Sequence, residues 1–158
     1  MAVGSLVFLV LAPGAVAGLV PWLLTGWDVR HRWLPLQVVG ALLLVAGIVV
    51  LVQAFARFVV EGLGTPAPVA PTEHLVVGGL YRYVRNPMYL AVAATIVGQA
   101  LLLGRPELLL YALAFLAVVG AFVHWYEEPT LRRRFGAEYE EYRRAVPGWW
   151  PRRRGRRG

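Results

Sequence analysis

"LQVVGALLLVAGIVVLVQAFARFVV", Leu36 to Val60, runs for 25 residues with Arg57 as its one charge. A helix needs roughly 20 apolar residues to cross the hydrocarbon of a bilayer, so this stretch has both the length and the composition to do so. Outward from it, Leu6 to Leu24, Met88 to Leu103 and Leu108 to Tyr126 share its character, the third being the shortest. The whole chain agrees: of 158 residues 58% are hydrophobic and 16% charged, with a mean hydropathy of +0.58. A soluble domain is far more polar. The expectation is an all-α integral membrane protein, a single unit over 1–158, with about four transmembrane helices in two hairpins. Ala15-Val16-Ala17 resembles the cleavage site of a secretory signal, but no Lys or Arg precedes the apolar core, so the first stretch is read as a retained span.

All 16 basic side chains are arginines and 10 of them follow Leu131. In a chain embedded in lipid such clustering marks the cytoplasmic side and attracts anionic head groups, so no nucleic-acid partner is expected. This places both termini and the loop 61–87 in the cytosol, with 28–33 and 104–107 outside. There is no cysteine, and His31, His74 and His124 lie far apart without ligand spacing. Neither thiolate chemistry nor a metal centre is expected.

The loop 61–87 carries Pro66, Pro68, Pro71 and Pro87, and then "HLVVGGLYRYV", whose β-branched and aromatic residues predict folding against the membrane face. Beyond the fourth span, Leu131, Phe135, Tyr139, Tyr142 and Val146 recur at helical spacing and predict an amphipathic surface helix over 129–146. Pro129 suits its first turn, Pro147 its end, and Glu140 with Arg144 supports it between. Trp149 and Trp150 mark the interface on this reading, and the basic tail 152–158 is expected to be flexible and to hold the membrane surface.

Two polar clusters then fall on one side of the membrane: "GLYRYVRNPMYL", Gly79 to Leu90, at the start of the third span, and Glu127-Glu128 at the end of the fourth. Adjacent antiparallel spans bring them together. One reading is structural, with an aromatic belt, topology-setting arginines and two acids that neutralise them. The other is a polar pocket open to the cytosol. Asn86 before Pro87 is a good cap for the third span, whose free N–H groups favour an anion. Glutamates suit an ammonium or ribose hydroxyls, and tyrosine faces suit a cation. Such a set matches a zwitterionic, cationic cofactor.

At these clusters the sequence resembles the isoprenylcysteine carboxyl methyltransferase family and its phospholipid methyltransferase relatives. The residues that carry the likeness are "GLYRYVRNPMY", Gly79 to Tyr89, and "EEPTLRRRFGAEYEEYRRAVPGWWP", Glu127 to Pro151. The first is set against a pattern of Gly-x-Tyr, an Arg-His-Pro or Arg-Asn-Pro step and a Tyr. The second is set against Glu-Glu, a Leu, Phe-Gly-x-x-Tyr, a second Tyr and Val-Pro. The resemblance implies a membrane enzyme that moves a methyl group from S-adenosylmethionine to a lipophilic small-molecule acceptor arriving from the membrane lipids. Carried over, Tyr81, Asn86, Pro87, Tyr89, Glu127, Glu128 and Tyr139 bind the cofactor, and Glu128 and Arg85 lie nearest the transfer.

Such a displacement needs alignment and a dry site, and neither metal nor covalent intermediate. A carboxylate acceptor, as in isoprenylcysteine or another lipophilic acid, needs no base, whereas an amine head group such as phosphatidylethanolamine has to lose a proton. Asn86 stands where the prenylcysteine branch usually has His, and small size with no lysine points to a bacterial cytoplasmic membrane. A non-catalytic lipid-binding protein is the reading from another class. A transporter is disfavoured, because no ionisable residue lies deep in any span.

Overall fold

The computed structural model describes residues 7, 11–30, 32–62 and 79–150, of which 58–62 are described by backbone alone. Residues 63–78 of the expected folded loop and the basic tail 152–158 lie outside the described residues. Among the described residues every regular element is helical. Helix α1 covers Leu11–Thr25 and α2 covers Leu34–Gly62. A 3₁₀ turn, Gly79–Arg82, precedes α3, Pro87–Leu103. Helix α4, Pro106–Phe122, runs through a π-helical stretch, Val123–Glu127, into α5, Glu128–Phe135. After Gly136 comes α6, Ala137–Ala145.

Helix α3 is the hub, and the reason is its composition: alanines, glycine and branched apolar residues all round, so each side can be covered by a neighbour. Its Met88, Ala91, Val92, Ile96, Ala100 and Leu103 form one core with Ala17 of α1, Leu51, Ala54 and Phe55 of α2, and Leu108 and Ala112 of α4. Two helical runs are long and apolar enough to cross a membrane, Leu34–Arg57 and Pro106–Phe135. Only 28% of the first window and 17% of the second is buried inside the molecule. The core helix of a soluble protein would be mostly covered, whereas these present rows of leucine, valine and isoleucine outward. Helix α3, at 17 residues, reaches only about 25 Å.

Two prolines explain two irregularities. In α1, residues Ala15–Leu19 are π-helical, and the Val20 N–H bonds Ala15 O, so Val16 O loses its usual donor. Pro21 has no N–H to give Ala17 O, and its ring crowds that carbonyl. Side chains from the neighbouring helices replace both donors: Tyr111 Oη donates to Val16 O at 2.5 Å and Gln99 Nε2 to Ala17 O at 2.5 Å. Gln99 Oε1 in turn accepts from Trp27 Nε1 at 3.1 Å. Gln99→Leu therefore leaves the Ala17 carbonyl without its donor at a buried position, and we expect a loss of about 2 kcal/mol, seen as a lowered unfolding midpoint in mixed micelles. A variant as stable as wild type would show that this carbonyl finds another donor.

The second irregularity changes the expected domain end. Pro129 does not start a separate surface helix: the π-helical stretch two residues before it absorbs the missing N–H, and the chain stays helical from Pro106 to Phe135. The amphipathic helix expected over 129–146 is instead divided at Gly136, whose φ of +58° few side chains tolerate. Its apolar face still gathers, with Tyr139, Tyr142 and Val146 buried against Leu131 and Phe135.

Candidate functional site

The start of α3, the junction of α4 with α5, and α6 with the residues after it meet at one end of the helix bundle. Arg85, just before α3, is the centre. Its Nη1 donates to Glu128 Oε1 at 2.6 Å and to Tyr139 Oη at 3.4 Å, and its Nε donates to Val146 O at 3.0 Å. Its backbone N–H donates to Pro147 O at 2.9 Å. The ion pair is well shielded, with side-chain exposures of 16% for Arg85 and 13% for Glu128. Arg143, on α6, approaches the other Glu128 oxygen at 3.9 Å.

Four residues along, on the first turn of α3, the Tyr89 hydroxyl donates to Glu127 Oε1. Consecutive residues on a helix differ by about 100° in direction. That lets Glu127 serve Tyr89 while Glu128 serves Arg85. One guanidinium thus pairs closely with one of the two carboxylates, and a second guanidinium approaches that same carboxylate at longer range. Burial, and then the Glu128 charge, push the Tyr139 phenol above its ordinary value, so it stays protonated and able to donate.

Asn86 occupies the N-cap position of α3, yet its side chain makes no capping bond. The carboxamide is turned instead toward the residues after α6, where Nδ2 donates to Gly148 O at 3.0 Å. Pro87 follows at the first helical position, fully buried. Tyr81, in the 3₁₀ turn, is buried as well, and its carbonyl accepts from Tyr142 Oη at 2.6 Å, which ties the turn to α6. The structure therefore brings together Tyr81, Arg85, Asn86, Pro87 and Tyr89 with Glu127, Glu128 and Tyr139.

Residues beyond that set also take part. Three consecutive carbonyls, those of Val146, Pro147 and Gly148, are held by Arg85 and Asn86. Trp149, expected as an interface marker, stacks on Tyr89, with ring centroids 6.4 Å apart and planes at 29°. Trp150 is 68% exposed. Backbone carbonyls leave no trace in a sequence; the pointer to them was the Val-Pro step inside the second motif.

Residues 36–138 match the model of a family described as phospholipid methyltransferase. The matched range holds all but the first two residues of α2, the whole of α3, α4 and α5 and both glutamates, and stops one residue short of Tyr139. Protein-S-isoprenylcysteine O-methyltransferase B of Arabidopsis thaliana is 29% identical over 136 residues, 83% of this chain. Protein-S-isoprenylcysteine O-methyltransferase A of the same plant is 30% identical over 138 residues, 84% of this chain. The chain spans 64% of the length of each of these relatives. No solved structure matches it.

Proposed function

Given that the chain belongs to the phospholipid methyltransferase family, we propose that it is a membrane-embedded methyltransferase that binds S-adenosylmethionine at the start of α3 and methylates a lipophilic acceptor. The observation that carries this is the convergence of two polar clusters, about 40 residues apart, on paired contacts: Arg85 with Glu128 and Tyr89 with Glu127. The donor set fits the cofactor. Two carboxylates outnumber the close guanidinium, two aromatic rings lie beside them, and a carboxamide and a protonated phenol are at hand. When bound, S-adenosylmethionine supplies a methyl group on a positively charged sulfur, which an oxygen or nitrogen nucleophile can displace.

On this reading Tyr81, Asn86, Pro87, Tyr89, Glu127, Glu128 and Tyr139 bind the cofactor. Glu127 and Glu128 attract its positive groups, and Asn86 orients its amino-acid portion while keeping the Gly148 carbonyl as a second partner. The half-buried Tyr89–Glu127 pair limits the access of water to the end where transfer takes place. Glu128 lies nearest the acceptor and is available to take a proton from an amine. Arg85, whose Nε and Nη1 serve groups of the chain itself, positions Glu128.

The family description favours an amine head group as acceptor, and the names of the two plant relatives favour a carboxylate on a prenylated cysteine. Asn86 cannot exchange a proton near neutrality as a histidine can. That counts against prenylcysteine itself rather than against carboxylates as a class; because a carboxylate needs no base, we propose a lipophilic carboxylic acid as the acceptor, with a phosphatidylethanolamine-type amine as the second reading. Methyl products on one lipid class, resolved by mass, separate them. The proposed setting is a bacterial cytoplasmic membrane, with α1 to α4 as four spans and the site on the cytosolic side with both termini.

Calorimetric titration of the detergent-purified protein with S-adenosylhomocysteine tests the cofactor. Wild type is expected to bind saturably and Glu128→Ala at least about tenfold more weakly, since a buried hydrogen-bonded charge contributes of that order. Absence of binding to folded wild type would return these residues to a structural role.

A further inference from the structure

The residues after α6 do more than end the chain. Val146 is 1% exposed, and its carbonyl and the next two are each taken by a donor on Arg85 or Asn86. The strap passes close against the guanidinium at Gly148, where a Cβ would lie 2.9 Å from Arg85 Nη2. A strap pinned at three successive residues fixes the position of the next one, Trp149. Its indole rests on the Tyr89 ring, and the Tyr89 hydroxyl is bound to Glu127. An aromatic pair beside two carboxylates is an arrangement that selects positive charge, through ring faces as well as ions.

We infer that Trp149 contacts the cofactor, forming with Tyr89 the aromatic wall against which the positively charged sulfur is held. Arg85 and Asn86 are then positioning residues for Trp149 as well, acting through the strap. This rests on the S-adenosylmethionine reading and goes past it by assigning the sulfonium to a residue outside the matched range of the family. The chemistry gives a test that does not need the acceptor. S-adenosylmethionine and S-adenosylhomocysteine share the adenosine and amino-acid portions and differ in the methyl group and the positive charge on sulfur.

Both ligands are titrated calorimetrically into wild type, Trp149→Phe and Trp149→Leu, with folding of each checked by circular dichroism. Trp149→Leu keeps apolar bulk and removes the ring face. It is expected to weaken S-adenosylmethionine about tenfold and S-adenosylhomocysteine much less, while Trp149→Phe, which keeps a weaker ring face, shows a smaller loss confined to S-adenosylmethionine. Equal weakening of both ligands in Trp149→Leu, or none, overturns the inference and leaves the cofactor reading standing. If folded wild type binds neither ligand, the cofactor reading falls and takes the inference with it. Should Trp149→Leu not fold, Trp149→Phe decides: a ring contact predicts a smaller loss confined to S-adenosylmethionine, and equal loss of both ligands overturns it.

Discussion

Arg85→Ala is expected to destabilise the protein by about 3–5 kcal/mol, the range for removing one partner of a buried ion pair. The side chain joins three groups that lie far from it along the chain: Glu128 at the start of α5, Tyr139 on α6, and the Val146 carbonyl beyond it. Its loss strands the Glu128 carboxylate at 13% exposure, with Arg143 at 3.9 Å as its remaining close cation among the described residues. A surface pair would be worth about 1 kcal/mol or less, so the magnitude itself separates the two environments.

Arg85→Lys should recover only part of the loss, because an ammonium cannot reach Glu128, Tyr139 and Val146 together in the geometry of a planar guanidinium. The double variant Arg85→Met/Glu128→Leu should recover more than half, since it removes the stranded charge along with its partner. Unfolding in mixed micelles, followed by tryptophan fluorescence, gives all three numbers. A cost below about 1 kcal/mol for Arg85→Ala would mean that water reaches the pair and that the site is far more open than the structure has it.

What the sequence discloses of this molecule divides along physical lines. Side-chain character is visible, so the apolar run of α2, the proline at the first position of α3 and the two polar clusters are all readable, and the clusters do meet. Partner choice is not visible. Asn86 before Pro87 has every feature of a helix cap, but the fold supplies the Gly148 carbonyl as an acceptor for its Nδ2, and the side chain turns to that partner and makes no capping bond. The π-helical stretches depend on the same kind of fact. A proline in an apolar run predicts a break, and only the presence of replacement donors such as Gln99 and Tyr111 lets the helix continue. Gly136 is the opposite case: the spacing of Leu131, Phe135, Tyr139, Tyr142 and Val146 runs straight across it, and the glycine in the middle of that pattern was the available sign of a division.

The second large effect is expected at the α2–α3 crossing. A Cβ on Gly98 would sit 2.7 Å from Leu44 N and 2.8 Å from Gly40 O, and one on Gly40 would sit 2.6 Å from Leu102 N. These are backbone atoms of the facing helix, so no rotamer change relieves the contact and the two axes have to separate. Separation costs more in lipid than in water. No hydrophobic force draws apolar helices together there, and packing that close approach permits supplies most of the attraction. Gly98→Ala is therefore expected to lose about 3 kcal/mol, the upper part of the range for overpacking, and Gly98→Leu not to assemble. Gly47→Ala should fall between that and no effect, because its nearest obstacle is the Thr95 hydroxyl at 2.7 Å, with backbone at 3.0 Å. Gly120→Ala on α4 meets nothing within 4 Å and should gain about 0.5–1 kcal/mol from helix propensity alone. The order of the three alanine variants in a mixed-micelle titration is the test. If Gly98→Ala matched Gly120→Ala, α2 and α3 would not be in contact through their backbones. The start of α3 would then lose the support that holds Arg85, Asn86 and Tyr89 in register with the two glutamates.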